Sequence, residues 1–326
     1  MNIENEKRTI LLIDGYHLLH KGFYGSLKRK TLAVNRDGIQ INAIYTFIAK
    51  INNFIEMDIY HTIIVTFDVG HGCWRRVLYP EYKAKRKDTP EELIPQMQII
   101  REFLTASRIP WYEKEQYEGD DVMGTIANIS SKLGYNVHIL SNDKDTFQLV
   151  SDNTKVITRT SKKEKPEFIE IRDVVEKMGC EPTQVPDLKS LMGDSSDNIK
   201  GVKCLHYNIA VSLLKQYGTI ENIYENIDQI PPNIQQKLVE NKEQIMLNKR
   251  IATIQRNLNL GRIDLRPLRV NWYGYLSFLK KQKMWAFTGN ALKKIEDNKK
   301  EIKEPKKFKN ADAVWLKQSQ NKTTNN

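Results

Sequence analysis

Cysteine is scarce in this 326-residue chain: Cys73, Cys180 and Cys204 are widely spaced and form no CxxC pair. That argues against a disulfide framework or a thiolate zinc site. Long apolar runs are missing too. No stretch approaches the roughly twenty residues needed to span a bilayer, and the polar start Met1 to Arg8 lacks a signal-peptide core. A cytoplasmic protein without membrane contact is expected. No internal repeat is present. Acidic residues are outnumbered, 40 Asp and Glu against 51 Lys and Arg, for a net charge of +11. A polyanion is therefore the leading partner, bound through counterion release. With 40% hydrophobic and 28% charged residues, the chain is globular and has room for one large domain or two modest ones.

The few acids are clustered. Tyr117-Glu118-Gly119-Asp120-Asp121-Val122 puts three carboxylates into four positions at the mouth of a helix whose apolar side is Val122, Ile126, Ile129 and Leu133. A helix start tolerates one or two acids, and the simple alternative is a capped, solvated helix end. Three crowded acids repel one another, and a divalent cation would compensate them. Asp14 follows the apolar run Thr9 to Ile13, Asp68 follows His61 to Phe67, and Asp143 and Asp145 follow Asn136 to Leu140. Each Asp alone suits a turn. Three strand ends bearing Asp suggest a ligand-binding edge, because open α/β sheets bind ligands at the carboxyl ends of their strands. Helical patterns at about 41–55, 90–107 and 121–133 alternate with these strands, so the fold class is α/β, with a three-layer, mostly parallel central sheet.

Between Asp68 and Pro90, Arg75, Arg76, Lys83, Lys85 and Arg86 interleave with Trp74, Tyr79 and Tyr82, a mixture suited to phosphates and unstacked bases. Past Val150, Thr154 to Arg159 and Glu167 to Ile171 suggest a hairpin turning at Ser161 to Pro166. A second acidic motif, Gly193-Asp194-Ser195-Ser196-Asp197-Asn198, again has two acids three residues apart. The expected division is an α/β region over 1–180, a smaller helical region over 181–298 and a disordered basic tail over 299–326. Within that tail Ala311 to Leu316 is a small apolar island, for which an incidental patch is the simple reading and a docking peptide for a replication partner the alternative.

Taken in order, Leu11 to Gly15, Phe67-Asp68, Tyr79 to Lys83, Tyr117 to Asp121, Asp143-Lys144-Asp145 with Gln148-Leu149, and Gly193 to Asn198 resemble the bacterial and bacteriophage 5′-to-3′ exonuclease and flap endonuclease family. That family includes the N-terminal nuclease domain of DNA polymerase I, and its phage ribonuclease H branch looks similar around Trp74-Arg75-Arg76. The resemblance implies a PIN-like fold and two clusters of divalent-metal ligands. Asp14, Asp68, Glu118 and Asp120 match the tighter cluster, Asp143, Asp145, Asp194 and Asp197 its neighbour, with Asp121 between them. Such a set suits two or more Mg2+ ions, or Mn2+. Lys83 and Arg86 match catalytic cations of a helical arch, here at about 70–90. Trp74, Arg75, Arg76, Tyr82, Lys85 and Lys203 are the nucleic-acid contacts that follow, Tyr82 by stacking on a displaced base.

The implied partners are DNA with 5′ ends, flaps or RNA primers, with single-strand-binding protein or a sliding clamp at the tail. A monomer is expected, in the host cytoplasm if a phage encodes it. No polymerase region follows, so any polymerase is expected on a separate chain. The family pattern is broken at about 200–217, where a helix-three-turn-helix is expected: Cys204 and His206 replace two glycines of Gly-Val-x-Gly-Ile-Gly, and with them goes the basis for a tight backbone grip on duplex or for a monovalent-cation site. Smaller departures are Asn142 for Gly and Gly119 for Ala. The rivals are a relative that binds branched DNA without cutting it, and a metal-dependent toxin or RNA-processing nuclease.

Overall fold

The computed structural model describes residues 8–27, 32–70, 72–159 and 166–303. Two compact units are present, 1–270 and 271–326. The first begins with β1 (Thr9–Asp14), α1 (Gly15–Ser26), α2 (Asn42–Met57), β2 (Thr62–Thr66), α3 (Trp74–Leu78), α4 (Ile94–Ser107), β3 (Trp111–Tyr112), α5 (Gly119–Lys132) and β4 (Asn136–Leu140). A 3-10 turn, Lys144–Leu149, leads to β5 (Thr154–Arg159) and β6 (Glu167–Ile169). The sheet order is β3-β2-β1-β4-β5-β6, parallel throughout except for the β5–β6 hairpin, whose turn at 160–165 lies outside the described residues.

Ile10 to Ile13 and Ile63 to Val65 are fully buried, as expected of parallel strands covered on both faces. Alternation along the strand divides them: Ile10, Leu12, Ile64, Val137 and Ile139 share a core with Val122, Met123 and Ile126 of α5. Leu11, Ile13, Ile63 and Val65 point to the other face. The short β3 was not anticipated. It extends the sheet through Val65 N–H to Pro110 O and Phe67 N–H to Tyr112 O, both 3.0 Å.

Register aligns the acids. Asp14 lies opposite Thr66 on β2, and Ile13 opposite Leu140 on β4, so Asp68 and Asp143 both emerge two residues beyond the level of Asp14. Strand order reverses between β1 and β4, the switch point at which open α/β sheets form a crevice. The sequence pattern and the topology therefore select the same edge.

The helical part of this unit comprises α6 (Ile171–Met178), α7 (Val185–Met192), α8 (Tyr207–Tyr217), α9 (Ile220–Glu225), α10 (Pro232–Glu240) and α11 (Lys242–Ala252). Between α7 and α8 a small hairpin, β7 (Gly193–Asp194) with β8 (Ile199–Lys200), presents the second acidic motif. Here the backbones cross at contact distance: a Cβ on Gly193 would lie 2.6 Å from Ile199 O, and one on Gly201 would collide with Met192 O. Cys204 adopts a left-handed conformation, with φ of 59°, whereas His206 does not, with φ of −80°.

After α11 the chain runs back as a strap. Gln255 N–H reaches Asp121, Leu258 N–H reaches Thr125, and Leu268 N–H reaches His61 O. The second unit holds α12 (Trp272–Lys281) and α13 (Thr288–Lys303). Residues 299–303, expected in the tail, thus continue a helix. Residues 304–326, including the apolar island and the docking alternative for it, lie outside the described residues. Among the described residues no helix is long and apolar enough to cross a membrane.

Candidate active site

Asp14 closes β1 and caps α1, accepting from His17 N–H at 2.9 Å. Burial pushes its carboxyl up to about 7, and the charges of Asp68 and Asp143 add to that. Burial likewise raises Asp68, which also faces Glu118. Asp120 is raised well above the carboxylate range by burial and by Asp14, Asp143 and Asp68 together. Asp143 begins the 3-10 turn and accepts from Asp145 N–H at 2.9 Å. That turn joins the first cluster to a second, in which carboxylate oxygens of Asp145, Asp194 and Asp197 lie within 4.8 Å of one another. Asp194 is held down at about 2: burial opposes ionisation there, but Lys189 and Ser196 outweigh it. Lys189 pairs with both Asp194, at 2.6 Å, and Asp145. Sequence reasoning passed over this lysine, although it stands five residues before Asp194.

The basic segment lies against both clusters. Tyr79 and Glu81 bond Asn198, Lys83 N–H donates to Asp197 O at 2.9 Å, and Lys200 pairs with Glu81 at 3.1 Å. Lys83 Nζ pairs with Glu118, and Arg86 reaches Asp197 at 2.7 Å. Lys83 adopts φ of 55°, a conformation that costs most non-glycine residues about 1–2 kcal/mol, and Asn198 φ of 58°, which asparagine tolerates more readily. The mutual docking of the two segments holds both residues there. Beside them opens a groove of about 570 Å³ lined by Tyr16, Asp68, Lys83, Arg86, Arg101 and Glu118.

Three expected contacts are corrected by burial. Arg75, expected to face nucleic acid, is 3% exposed and uses all five N–H donors inside the protein. They reach Asp121 twice, at 2.7 and 2.8 Å, Glu118 at 2.9 Å, Ile251 O at 2.7 Å and Thr253 O at 3.1 Å. Asp121, expected among the metal ligands, is fully buried and saturated by Arg75, Trp74 Nε1 and Gln255 N–H. It also completes a capping box with Glu118, so the simple alternative of a capped helix start holds for this one acid. Tyr82, expected to stack on a base, is 3% exposed, packs with Cys73, Ile199 and Ile251, and donates to Glu118 at 3.0 Å.

Trp74 is half-buried with its indole N–H committed to Asp121. Arg76, Lys85 and Lys203 are exposed. Against the burial that would raise it, Lys83 and Arg75 hold the Glu118 carboxyl below its ordinary value. The donor set, hard oxygens whose crowding suppresses ionisation at Asp14, Asp68 and Asp120, fits divalent cations.

Two family models cover this framework: the 5′-3′ exonuclease N-terminal resolvase-like domain matches residues 9–179, and the 5′-3′ exonuclease C-terminal SAM fold matches 180–272. The chain belongs to the 5′-3′ exonuclease family. DNA polymerase I of Bacillus subtilis (strain 168) is 39% identical over 250 residues, 76% of this chain and 28% of the polymerase. Thermostable DNA polymerase I of Thermus thermophilus is 34% identical over 260 residues, 79% of this chain and 30% of the polymerase. This exonuclease-family chain thus spans under a third of those relatives. Its fold is similar to that of the 5′-exonuclease of phage T5, solved with zinc, at a TM-score of 0.62 and 22% identity over 75% of this chain and 89% of that one. It is also similar to the catalytic core of Rad2, solved with DNA substrate, at a TM-score of 0.55 and 16% identity over 90% and 93%.

Arg75→Met should destabilise the protein by about 3–5 kcal/mol, because it strands the Asp121 charge in the interior. A urea titration reads this out, and pairing the change with Asp121→Leu should recover much of the loss. Because folding raises the Asp14, Asp68 and Asp120 carboxyls, the folded state binds their protons more tightly than the unfolded chain does. The contribution of these three carboxyls to stability in EDTA should therefore be fully present below the ordinary carboxylate range and be lost as pH rises toward and through 7. Melting temperatures at pH 5 and pH 8 test the sign, and millimolar magnesium should narrow the difference by stabilising the ionised cluster.

Proposed function

We propose that the chain is a divalent-metal-dependent 5′-to-3′ nuclease that cuts phosphodiesters at 5′ ends and flap junctions in DNA and RNA–DNA hybrids. It would remove RNA primers and displaced strands during replication, with Mg2+ as its ion and Mn2+ as a substitute. The observation that carries this reading is that Lys83 and Arg86 line one groove with Asp68 and Glu118 of the first carboxylate cluster, while Arg86 also pairs with Asp197 of the second. Asp14, Asp68, Asp120 and Asp143, with Glu118 at the rim, would hold one ion, and Asp145, Asp194 and Asp197 its neighbour. Bound there, hard cations would supply Lewis-acid activation of water and charge stabilisation at the scissile phosphate.

The remaining work falls to the protein's own groups. Lys83 and Arg86 neutralise Glu118 and Asp197, and a phosphate entering the groove would compete for both. Shifted onto that phosphate, they would stabilise negative charge developing during displacement. Lys189 would tune the second cluster, since its ammonium already spans Asp145 and Asp194. Arg76, Lys85 and Lys203, all exposed, would contact flanking phosphates. The polymerase I relatives and the DNA-bound state of the Rad2 core support nucleic acid as the substrate.

The deciding experiment offers a 5′-labelled flap DNA and a 5′-labelled RNA primer on DNA, with magnesium and with EDTA. Magnesium-dependent short products or whole flaps are expected. Intact substrates despite tight binding would point to a DNA-binding relative without catalysis. Asp120→Ala and Asp143→Asn should each bring single-turnover cleavage to background while gel-shift binding persists, and unchanged turnover would refute the ligand assignment. Lys83→Ala should slow single-turnover cleavage by about 10²–10³-fold, more than it weakens binding. A wild-type rate would leave Lys83 a structural partner of Glu118 alone.

A further inference from the structure

The family match ends at residue 272, and the second compact unit, 271–326, extends beyond it. Its described part, residues 271–303, contains eight lysines against three carboxylates and so holds +5 of the chain's net charge of +11. Residues 1–270 carry only +3. Signs are also segregated within the unit: from Asn271 to Ile295 there are five lysines and no carboxylate. An ordinary solvated surface intersperses both signs, whereas a single-sign field favours a polyanion.

The structure sorts the side chains of this unit. Tyr275, Leu279, Met284 and Ala291 are buried, which leaves little continuous apolar face for a bilayer. Lys280, Lys283, Lys293 and Lys299 are exposed. Two large aromatics are exposed as well, Tyr273 at 61% and Trp285 at 58%. Tyr273 stands seven residues before Lys280 on α12, hence on the same helix face, and Trp285 stands two residues after Lys283. Lysines beside open aromatic faces suit a strand whose phosphates are paired and whose unpaired bases stack.

We propose that the described part of this unit, residues 271–303, is a second, sequence-independent grip on nucleic acid. Lys280, Lys283, Lys293 and Lys299 hold the sugar-phosphate backbone, and Tyr273 and Trp285 offer stacking faces to single-stranded bases. The inference rests on the reading of the chain as a nuclease and adds to it a holding site made of other residues. Such a grip keeps the protein on its strand between cuts.

The test uses the full chain, with fluorescence anisotropy on single-stranded and flap DNA in EDTA across a salt series. Lys280→Gln, Lys283→Gln, Lys293→Gln and Lys299→Gln combined should make the slope of log Kd against log salt shallower by about 3, at roughly 0.7–0.9 per lost phosphate contact. The matching Lys→Arg set should keep the wild-type slope. Tyr273→Ala with Trp285→Ala should weaken single-strand binding by about 5-fold or more, with a smaller effect on duplex. An unchanged slope and affinity in a Lys→Gln variant of wild-type melting temperature would overturn the proposal. So would equal losses in the Lys→Gln and Lys→Arg sets, or losses confined to phosphatidylserine vesicles. Magnesium cleavage assayed in parallel separates the two readings: no cleavage by the wild type with a slope that responds to Lys→Gln sinks the nuclease alone, and cleavage with an unresponsive slope sinks the grip alone.

Discussion

Like charges crowded into a poorly solvated edge repel, and most of this fold can be understood as the answer to that repulsion. Asp14, Asp68 and Asp120 are pushed toward protonation by burial and by one another. Around them the chain supplies cations from separate segments: Lys83 and Arg86 from the basic stretch and Lys189 from α7. Each meets one or two carboxylates at the margin of the clusters. Among the described residues no lysine or arginine forms an ion pair with Asp14 or Asp120, and that imbalance is what favours a cation from solution.

Arg75 works differently. It spends its donors on Asp121, Glu118 and two backbone carbonyls, and so ties α3, the start of α5 and the strap into one joint. An arginine suits this role better than a lysine, because its planar fork meets a carboxylate with two parallel bonds and still reaches carbonyls on its other side. Asp120 and Asp121 are neighbours with opposite fates: one faces the clustered acids, the other turns into a buried ion pair. Helical geometry separates them, since consecutive residues point about 100° apart.

Much of the framework was legible in the sequence. Apolar runs ending in Asp identified β1, β2 and β4, and their alternation with helices implied the parallel sheet whose register brings Asp14, Asp68 and Asp143 to one edge. Local patterns carried that information. Less legible was anything that depended on distant partners. Trp74, Arg75 and Tyr82 have the composition of a nucleic-acid surface, yet their partners lie at the start of α5, in Glu118 and Asp121, and, for Arg75, also 176 and 178 residues away. Composition does not distinguish a buried arginine from an exposed one. The two-residue β3 is too short for any period to show, and the left-handed backbone of Cys204 carries no signal in the residue type.

The strap has a consequence for synthesis. Asp121 is closed off by Arg75, and Arg75 in turn by Ile251 O and Thr253 O, with Gln255 N–H on the same carboxylate. A nascent chain emerging from the ribosome therefore presents every acid of both clusters before it can complete the joint that orients the start of α5. Until Gln255 is free to fold back, the half-made protein carries Asp121 without one of the donors that saturate it and Arg75 without its two carbonyl partners. That joint is thereby completed only when nearly the whole of the first unit has been translated.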